Sequence, residues 1–561
     1  MPDPINLPVE LLLEIFSTLS VNCLLALAKT SRQFNSLCIP FFFSRHGISD
    51  ASTNFEYRSY KKAGQQNQDI VYWKNDALAG LAIAFDLKSI EEFTCVFNDY
   101  GTPRSAEVRI RHYWKLLWTI RRLDRVGKVT LRFNSWDTYE TWIITGNLAL
   151  QRKQVITGLF NVCLQKGCKT FHIDHCSLFP EPPLAYPKSG VSRVLHAVKR
   201  ILLPRPGPDN GRHPALSPYQ PFPNDHYVGF IPLSGPARKT SQLQHLMISC
   251  PMAIYPPCSY WTHSVLQTPA LTSLTLSIIG LSPDLWEMAF QWLIVPLKSK
   301  LIELSVIDCS KLPIGSFIDF LTNLQAVTHL TIILPMSRVD QYPPLIEEGK
   351  PILPKLVSLS ANPDWITLLC AATPRPTLTS LKVVPRGSFS FGRPLGDLLP
   401  TLSKLVSPSP TSPPSHPLQP NSEQPKDLGP GIQITLDLGS NVYTRDEFQE
   451  DVRKYSSPTY RTALGPTMCD HITHLVIRVP AFRDNTPDVI CNFFGWWKTL
   501  RCITLKDNYI SEWEKMFALV WTEEKIEKLV EEARVHCPSI TSMAFKDRTY
   551  AIGAVASGEL Q

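Results

Sequence analysis

The chain has 561 residues, 44% of them hydrophobic, and a formal net charge of +7. Because this length exceeds a single compact core, we expect several domains or an elongated, repetitive architecture. The apolar content excludes wholesale disorder, and a net charge this small for the length does not by itself indicate a nucleic-acid partner.

The fourteen cysteines are scattered along the chain and include no CxxC pair. Asp3 and Glu10 stand where a secretory signal would carry basic residues, so the thiols are interpreted as reduced and buried. The most apolar run, residues 285–297, is shorter than the ~20 residues of a membrane span and contains Glu287 and Pro296. We therefore expect a cytoplasmic or nuclear protein without a membrane span.

Residues 7–40 predict three short helices with more apolar surface than they can bury among themselves. Pro8 suits the first turn of a helix, and Ser20 can cap the second helix. At about 100° per residue, the apolar side chains of the first helix cover an arc of about 200°, roughly twice the arc that a surface helix buries. These side chains are Val9, Leu11, Leu12, Leu13, Ile15, Phe16 and Leu19. The module therefore requires a second body, which is either the rest of this chain or another protein.

The opening Leu-Pro-x-Glu-Leu, the pair Leu24-Leu25, the pair Ser31-Arg32 and the aromatic Phe34 resemble the F-box. The resemblance predicts an F-box over residues 1–46, a three-helix module that docks onto the small Skp-type adaptor of SCF ubiquitin ligases and, through it, reaches a cullin. It implies adaptor binding through Leu7, Pro8, Leu11, Leu12, Ile15, Leu19, Leu24, Leu25, Leu27 and Phe34.

Further along the chain an apolar pattern recurs, in which three apolar residues are separated by two and then one other residue, often followed by Asn or Cys. This spacing puts two side chains of a short strand on one face and is typical of leucine-rich repeats. The clearest copies begin at Ile90, Val126, Cys168, Leu301 and Leu500, and weaker copies begin at Val198, Leu243, Leu271, Val327, Leu356, Leu378, Ile472 and Ile540. The central copies follow one another at intervals of 22 to 30 residues, which fit one strand and one returning helix.

Helices are predicted between the strands, at residues 284–293, 314–324 and 512–534. The predicted fold class is α/β, with an N-terminal three-helix F-box followed by an irregular leucine-rich-repeat solenoid of short parallel strands and helices. The predicted domains are the F-box at 1–46, a connecting helical segment at 47–85, the solenoid at 86–403 with a Pro-rich loop at 204–239, a disordered Pro/Ser-rich insertion at 404–431, a continuation of the solenoid at 432–550 and a tail at 551–561. The alternative is that the insertion marks a true domain boundary.

Two stretches contain residues that could carry chemistry. The first holds Cys163, Cys168, His172, His175 and Cys176. It lacks the two closely spaced ligand pairs that usually form a zinc site, and Cys168 and Cys176 already fill inward repeat positions. We therefore predict no metal and no cofactor. The second, residues 104–132, interleaves Arg and Lys with Tyr and Trp, and is interpreted as the outer helix of a repeat rather than as a nucleic-acid-binding surface.

The chain has no phosphate-binding Gly-rich loop, no GxSxG elbow and no HExxH helix, so we predict no catalytic residues. The hypothesis is a substrate-recognition adaptor of an SCF-type ligase that holds an unidentified target protein on its repeats. Outward strand positions are the candidate target-binding residues: His172, Asp174, Thr275, Ser305, Thr331, Arg478 and Lys506. The alternative is a leucine-rich-repeat scaffold without ubiquitin chemistry, in which the N-terminal helices are internal packing.

Overall fold

The chain divides into two compact units. The first comprises Met1–Leu301 and Cys309–Phe320, and the second comprises Ile302–Asp308 and Leu321–Gln561. The structure is a computed structural model, and it describes residues 7–58, 77–97, 105–133, 147–175, 233–254, 258–279, 281–309, 311–334, 352–371, 377–384, 433–437, 474–478, 491, 500–506, 523–537, 539–545 and 548–552.

Twelve α-helices lie within these described ranges. They are α1 (Val9–Thr18), α2 (Val21–Ala28), α3 (Arg32–Arg45), α4 (Ala77–Ile83), α5 (Ser105–Arg122), α6 (Asn147–Gln165), α7 (Gly235–Thr240), α8 (Ser259–Leu266), α9 (Pro283–Leu297), α10 (Ile314–Asn323), α11 (Pro363–Ala371) and α12 (Glu523–His536). Among the described residues, no helix combines the length and apolar character needed to cross a membrane.

The strands of the first unit pair in parallel, each with the next one along the chain. They are β1 (Asn54–Arg58), β2 (Ser89–Phe97), β3 (Arg125–Phe133), β4 (Thr170–His175), β5 (His245–Ile248) and β6 (Ser273–Leu276). Parallel neighbours need a long crossover connection, and α5 and α6 lie in two of these connections.

The second unit continues the same arrangement of strands within itself. Its strands are β7 (Glu303–Ile307), β8 (His329–Ile333), β9 (Ser358–Ala361), β10 (Ser380–Val383), β11 (Gln433–Asp437), β12 (His474–Arg478), β13 (Cys502–Lys506), β14 (Ser542–Phe545) and β15 (Arg548–Ala551). Consecutive strands are parallel except for β15, which pairs with β14 antiparallel. The predicted repeat of short parallel strands and helices is thus confirmed.

The recurring apolar pattern marks the core of each unit. Wherever all three apolar positions of a copy are described, they are buried, as at Leu271, Leu274 and Leu276. The register aligns equivalent positions, since Val129 pairs with Phe171 and Phe171 pairs with Leu246. Stacking one repeat on the next therefore builds a continuous apolar core from units that could not bury their own apolar faces. The copy predicted at Val198 lies outside the described residues.

Aromatic side chains join α3 to the first repeat. Phe42 and Phe43 are both buried, and the ring of Phe43 meets Phe55 of β1 edge to face at 5.8 Å between centroids. Phe55 in turn stacks on Phe93 of β2 at 5.5 Å. Gly80 of α4 makes room for this packing, because an added Cβ would lie 2.5 Å from Cδ1 of Phe42.

Asn35 satisfies backbone groups where the N-terminal helices meet α4. Its buried amide Nδ2 donates to the carbonyl oxygens of Ala28 at 2.9 Å and Ile83 at 2.8 Å. Its Oδ1 accepts from the N–H of Phe85 at 3.2 Å. One side chain thereby satisfies carbonyls at the ends of α2 and α4, whose burial without partners would cost free energy.

The structure differs from the sequence-based expectation in two segments. Residues 47–85, predicted to be a connecting helical segment, contain strand β1 as well as helix α4. The strand was missed because only Phe55 and Tyr57 mark its buried face within a polar sequence. Of the predicted Pro-rich loop at 204–239, residues 204–232 lie outside the described part of the chain, and the last residues belong to helix α7. The Ser234 hydroxyl caps this helix by accepting from the N–H of Ala237. Residues 404–431 lie outside the described part of the chain.

The packing around Gly80 generates a first prediction. Gly80→Ala should lower the free energy of unfolding by about 1–3 kcal/mol, because the methyl group overlaps the buried ring of Phe42. Gly315→Ala in α10 is the matched control, since an added Cβ there meets nothing within 4 Å and should be neutral or slightly stabilising. Urea denaturation of both variants measures the difference, and equal stability would contradict the packing.

A second prediction concerns His112, which is buried in α5 with its Nδ1 3.0 Å from the hydroxyl of Tyr57. Burial, helped by the nearby charge of Lys115, lowers the pKa of His112 to about 3. Because the unfolded chain binds this proton near pH 6.5, stability contributed by the neutral ring is present above that pH and falls as the pH drops towards about 3.

His112→Gln should therefore flatten the pH dependence of stability. Between pH ~6.5 and pH ~5 the wild type should lose about 2 kcal/mol more than the variant. Denaturation midpoints of both proteins across this range measure the effect. Parallel curves would show that His112 takes up its proton over the same pH range in the folded protein as in the unfolded chain.

Candidate functional site

Helix α1 is held in place along one narrow line of side chains. Leu12 and Phe16 are its buried residues, one turn apart. The ring of Phe16 meets Phe34 and Phe41 of α3 edge to face, at 6.1 and 6.4 Å between centroids. The guanidinium of Arg45 donates to the carbonyl oxygen of Ser17 near the end of the helix. These contacts fix α1 on α3 while covering only a small part of its surface.

Two apolar stripes of α1 remain exposed on either side of this line. Leu11 and Ile15 form one stripe, Val9 and Leu13 form the other, and each side chain is between 37% and 47% exposed. At about 100° per residue, the two stripes and the buried line together span the arc of about 200° expected from the sequence. Four neighbouring apolar side chains on one short helix are typical of an interaction surface rather than of isolated exposed residues.

Helices α2 and α3 present less apolar surface to solvent. The hydroxyls of Ser20 and Ser31 cap them by accepting from the N–H groups of Cys23 and Phe34. Leu24 and Leu25 of α2 are buried, and α3 buries Cys38, Ile39, Phe42 and Phe43. This chain itself therefore supplies the second body for these two helices, and leaves α1 uncovered on both flanks.

The predicted docking residues divide into three groups by exposure. Pro8, Leu11 and Ile15 are exposed; Leu7, Leu19, Leu27 and Phe34 are half-buried; Leu12, Leu24 and Leu25 are buried. The last three are not part of an accessible surface in this structure, because they pack inside the module. Val9 and Leu13 belong to the exposed surface but were not among the predicted docking residues, although the apolar arc of α1 included both.

A polar cluster lies on the outward face of the first unit. Asp174 is buried and accepts from the guanidinium of Arg132 at 2.5 Å. His172 lies between them and Ser249, with Nε2 3.0 Å from the Ser249 hydroxyl and 3.6 Å from Oδ1 of Asp174. Burial lowers the pKa of His172; Asp174 opposes this shift, while Arg132 and Lys128 reinforce it.

This cluster does not have the geometry of a catalytic triad. Ser249 and Asp174 face the same nitrogen of His172, whereas a triad places its hydroxyl and its carboxylate at different ring nitrogens. The Arg132 ion pair further engages the carboxylate. The arrangement brings together His172 and Asp174 from the predicted target-binding set, and Asp174 is buried beneath its ion pair with Arg132.

The other predicted target-binding residues occupy outward strand positions. Thr275 lies in the first unit, and Ser305 and Thr331 pair with each other in register in the second unit; all three are half-buried. Arg478 and Lys506 are register partners at the ends of β12 and β13, and their side chains lie outside the described residues. Their role in binding a target stays a prediction.

The cysteines near this cluster belong to the core. Cys163 and Cys168 are buried, and burial raises the pKa of Cys168 to about 12 and that of Cys163 well above its ordinary value. Burial therefore disfavours the thiolate form of both side chains, which pack in the apolar core. Among the described residues, no group of three or more His, Cys, Asp or Glu side chains could hold a metal ion.

Comparison with known proteins identifies the N-terminal module. Residues 5–47 match the F-box-like family model, so an F-box-like domain lies at this end of the chain. Comparison with curated proteins found no match.

The solved structures similar to this chain at low identity include the following two. One is the leucine-rich repeat-containing protein LegL7 from Legionella pneumophila, with 11% identity and a TM-score of 0.33 over 54% of this chain and 84% of that one. The other is the complex of Rad7 and Elc1 in yeast, with 16% identity and a TM-score of 0.19 over 49% of this chain and 75% of that one. Both TM-scores are low, and the repeat architecture rests on the strand pairing within each unit.

The exposure pattern predicts that a charged substitution on the surface of α1 affects the free energy of unfolding much less than one in the interior of the module. Ile15→Asp should change the free energy of unfolding by less than about 0.5 kcal/mol, because the side chain is exposed. Leu24→Asp should lower it by at least about 3 kcal/mol, because it places a charge in the core. Urea denaturation measures both, and a large loss for Ile15→Asp would mean that this chain covers the stripe.

Proposed function

We propose that this protein is a substrate-recognition adaptor of an SCF-type ubiquitin ligase. The F-box-like domain at residues 5–47 would dock onto a Skp-type subunit, and through it reach a cullin. The observation that carries the proposal is the exposed apolar surface of α1, formed by Val9, Leu11, Leu13 and Ile15. An F-box-like domain that leaves this helix uncovered has a face suited to another polypeptide.

The docking surface combines the two apolar stripes of α1 with the half-buried side chains around them. Each apolar side chain that becomes fully buried contributes about 1.5–3 kcal/mol, although association itself costs free energy and the sum is not an affinity. Leu19 and Leu27, both half-buried, extend the apolar surface beyond α1. Glu10 and Glu14 lie on the polar side of α1 and would remain at the rim of the interface.

In this proposal the protein positions a target protein and catalyses no reaction itself. A target protein held on the repeats would be kept near a conjugating enzyme supplied by the rest of the complex, which raises the effective concentration of its lysines. The packing of Phe42, Phe43, Phe55 and Gly80 supports this role, because it couples the F-box-like domain firmly to the first repeat. Outward, half-buried residues such as His172, Thr275 and Thr331 are the proposed contacts with the target.

A second candidate function is a repeat scaffold without ubiquitin chemistry. The burial of Leu24 and Leu25, together with the packing of α3 on the first repeat, favours it, because these helices already serve as internal packing. The two functions differ only in what covers α1. A binding experiment directed at α1 therefore distinguishes them.

The decisive experiment is co-expression of the full chain with a Skp-type subunit, followed by affinity purification of the chain. Ile15→Asp and Leu11→Asp should each abolish recovery of the subunit, since a charge at the centre of an apolar interface is desolvated without a partner. Val295→Asp in α9 is the matched control, because Val295 is also an exposed apolar residue on a helix and should leave recovery unchanged.

Recovery of the subunit at wild-type yield with Ile15→Asp would contradict the proposed docking face. Failure of the wild-type chain to recover any Skp-type subunit would favour the scaffold function. Point variants are preferable to deleting residues 1–46, because deletion would expose the buried partners of Phe42 and Phe43 and destabilise the first repeat.

A further inference from the structure

Helices α5 and α6 are much more basic than the chain as a whole. Their sequences contain seven Lys or Arg residues and one carboxylate, Glu107, whereas the whole chain has 56 Lys or Arg and 49 Asp or Glu. The cations are Arg109, Arg111, Lys115, Arg121, Arg122, Arg152 and Lys153. Helix α9 shows the opposite balance, with Asp284 and Glu287 and no Lys or Arg.

The exposed face of α5 is a single line of basic residues with one large aromatic side chain. The helix buries Tyr113, Leu117 and Ile120 towards the core. At about 100° per residue, Arg111, Lys115 and Trp118 fall on the opposite side. Arg111 is exposed, Lys115 is half-buried, and Trp118 is 62% exposed.

Trp118 is the most exposed aromatic side chain among the large hydrophobic residues that the structure describes as exposed. The guanidinium carbon of Arg121 lies 5.0 Å from the centroid of its ring. Exposing an indole of this size to water is unfavourable, and Trp and Arg together are the residues that most often carry the binding energy of protein interfaces.

A second exposed apolar side chain, Leu150 of α6, lies at the height of Arg111, which marks the N-terminal end of the line on α5. Helices α5 and α6 run in the same direction, because each crosses between neighbouring parallel strands. They meet closely at Gly158, where an added Cβ would lie 2.8 Å from Cδ2 of Leu117. Leu150 and Arg111 both precede this contact, by about two turns of helix. Leu150 is exposed, and it lies at about the same height along α6 as Arg111 does along α5.

We propose that this outer face of α5 and α6 docks an acidic polypeptide segment that also carries apolar side chains. The distance from Arg111 to Arg121 is about 15 Å along the helix, which about five residues of an extended peptide would span. Carboxylates of the segment would pair with the cations of α5, and an apolar side chain would cover the free face of Trp118. This surface lies on the outer helices rather than on the strand face, and the inference does not depend on docking of α1.

The geometry disfavours a single-stranded nucleic acid at the same face. Such ligands stack successive bases on several aromatic side chains. Here Tyr113 is buried, Trp114 is half-buried, and Arg121 lies over one face of Trp118. One partly covered ring does not form a stacking platform, whereas it can anchor one apolar side chain of a peptide.

Exposed carboxylates near the C-terminal end of α5 mark where its basic face ends. Asp86 and Asp124 lie in the turns after α4 and α5, where the N–H of Asp124 donates to the carbonyl of Lys88 at 2.7 Å. Arg122 points into the same region and donates to the carbonyls of Ala84 and Leu81, so it stabilises the end of α4 rather than the surface. The basic face therefore runs from Arg111 to Arg121.

The experiment measures fluorescence anisotropy of a labelled peptide of about ten residues, made of Glu with two central Leu residues, titrated with the full chain. The wild type should bind it, and binding should weaken as salt is raised past about 0.15 M. Arg111→Glu combined with Lys115→Glu should raise the Kd about tenfold or more. Trp118→Ala should raise it about fivefold.

Lys525→Glu combined with Lys528→Glu is the matched control, since both residues are exposed on α12 and the net charge changes equally. It should change the Kd by less than about twofold, because neither residue belongs to the proposed surface. Arg111→Gln combined with Lys115→Gln should also weaken binding, and it serves if the Glu variant fails to fold.

Three results would overturn the inference. The first is no binding of the peptide to the wild type, and the second is equal binding by the α5 variants and the wild type. The third is tighter binding of an oligothymidylate of the same length, displacing the peptide, which would assign the face to nucleic acid.

Discussion

The seating of α3 on the first repeat is the constraint on which the organisation of the first unit depends. Phe42 and Phe43 enter the space that Gly80 leaves open and continue through Phe55 into the core of the sheet. Asn35 satisfies the backbone groups that this burial removes from water. The three N-terminal helices are therefore not an independent module on a flexible tether, because their largest side chains are part of the first repeat's core.

This arrangement determines which surface is left for a partner. Because α3 uses the repeat as its second body, α2 is enclosed with it, and only α1 keeps apolar flanks in water. Helix α1 is held by the buried Leu12 and Phe16 and by the hydrogen bond from Arg45 to Ser17, so its position is fixed without covering Leu11 or Ile15. An F-box-like domain that is rigidly seated and open on one helix fits the proposed adaptor role, in which a fixed docking angle would keep a bound target at a constant distance from the partner complex.

The inward and outward faces of the strands carry different kinds of side chain. Inward strand positions hold apolar side chains and protonated thiols, and burial keeps the pKa of Cys168 high. Outward positions carry hydrogen-bonded groups such as Asp174, which contacts its register partner Arg132 on β3 and His172, two residues earlier on β4. The outer helices add a third surface, on which the basic character of α5 and α6 is concentrated.

The sequence by itself determined the repeat. The apolar residues of each copy keep the same spacing, so the copies remain recognisable although the intervals between them vary. Leu271, Leu301 and Val327, the first apolar residues of three successive copies, are all buried where the pattern placed them. The sequence also determined the F-box-like helices and the cap at Ser20, whereas the cap at Ser31 was found only in the structure. Only the tertiary structure decided which apolar residues of those helices face water. Leu12, Leu24 and Leu25 look the same in sequence as Leu11 and Ile15, and strand β1 left only two apolar residues as a signal. The physical reason is that periodicity reports how much of a helix is apolar, whereas burial depends on a neighbour such as Gly80 that lies far away along the chain.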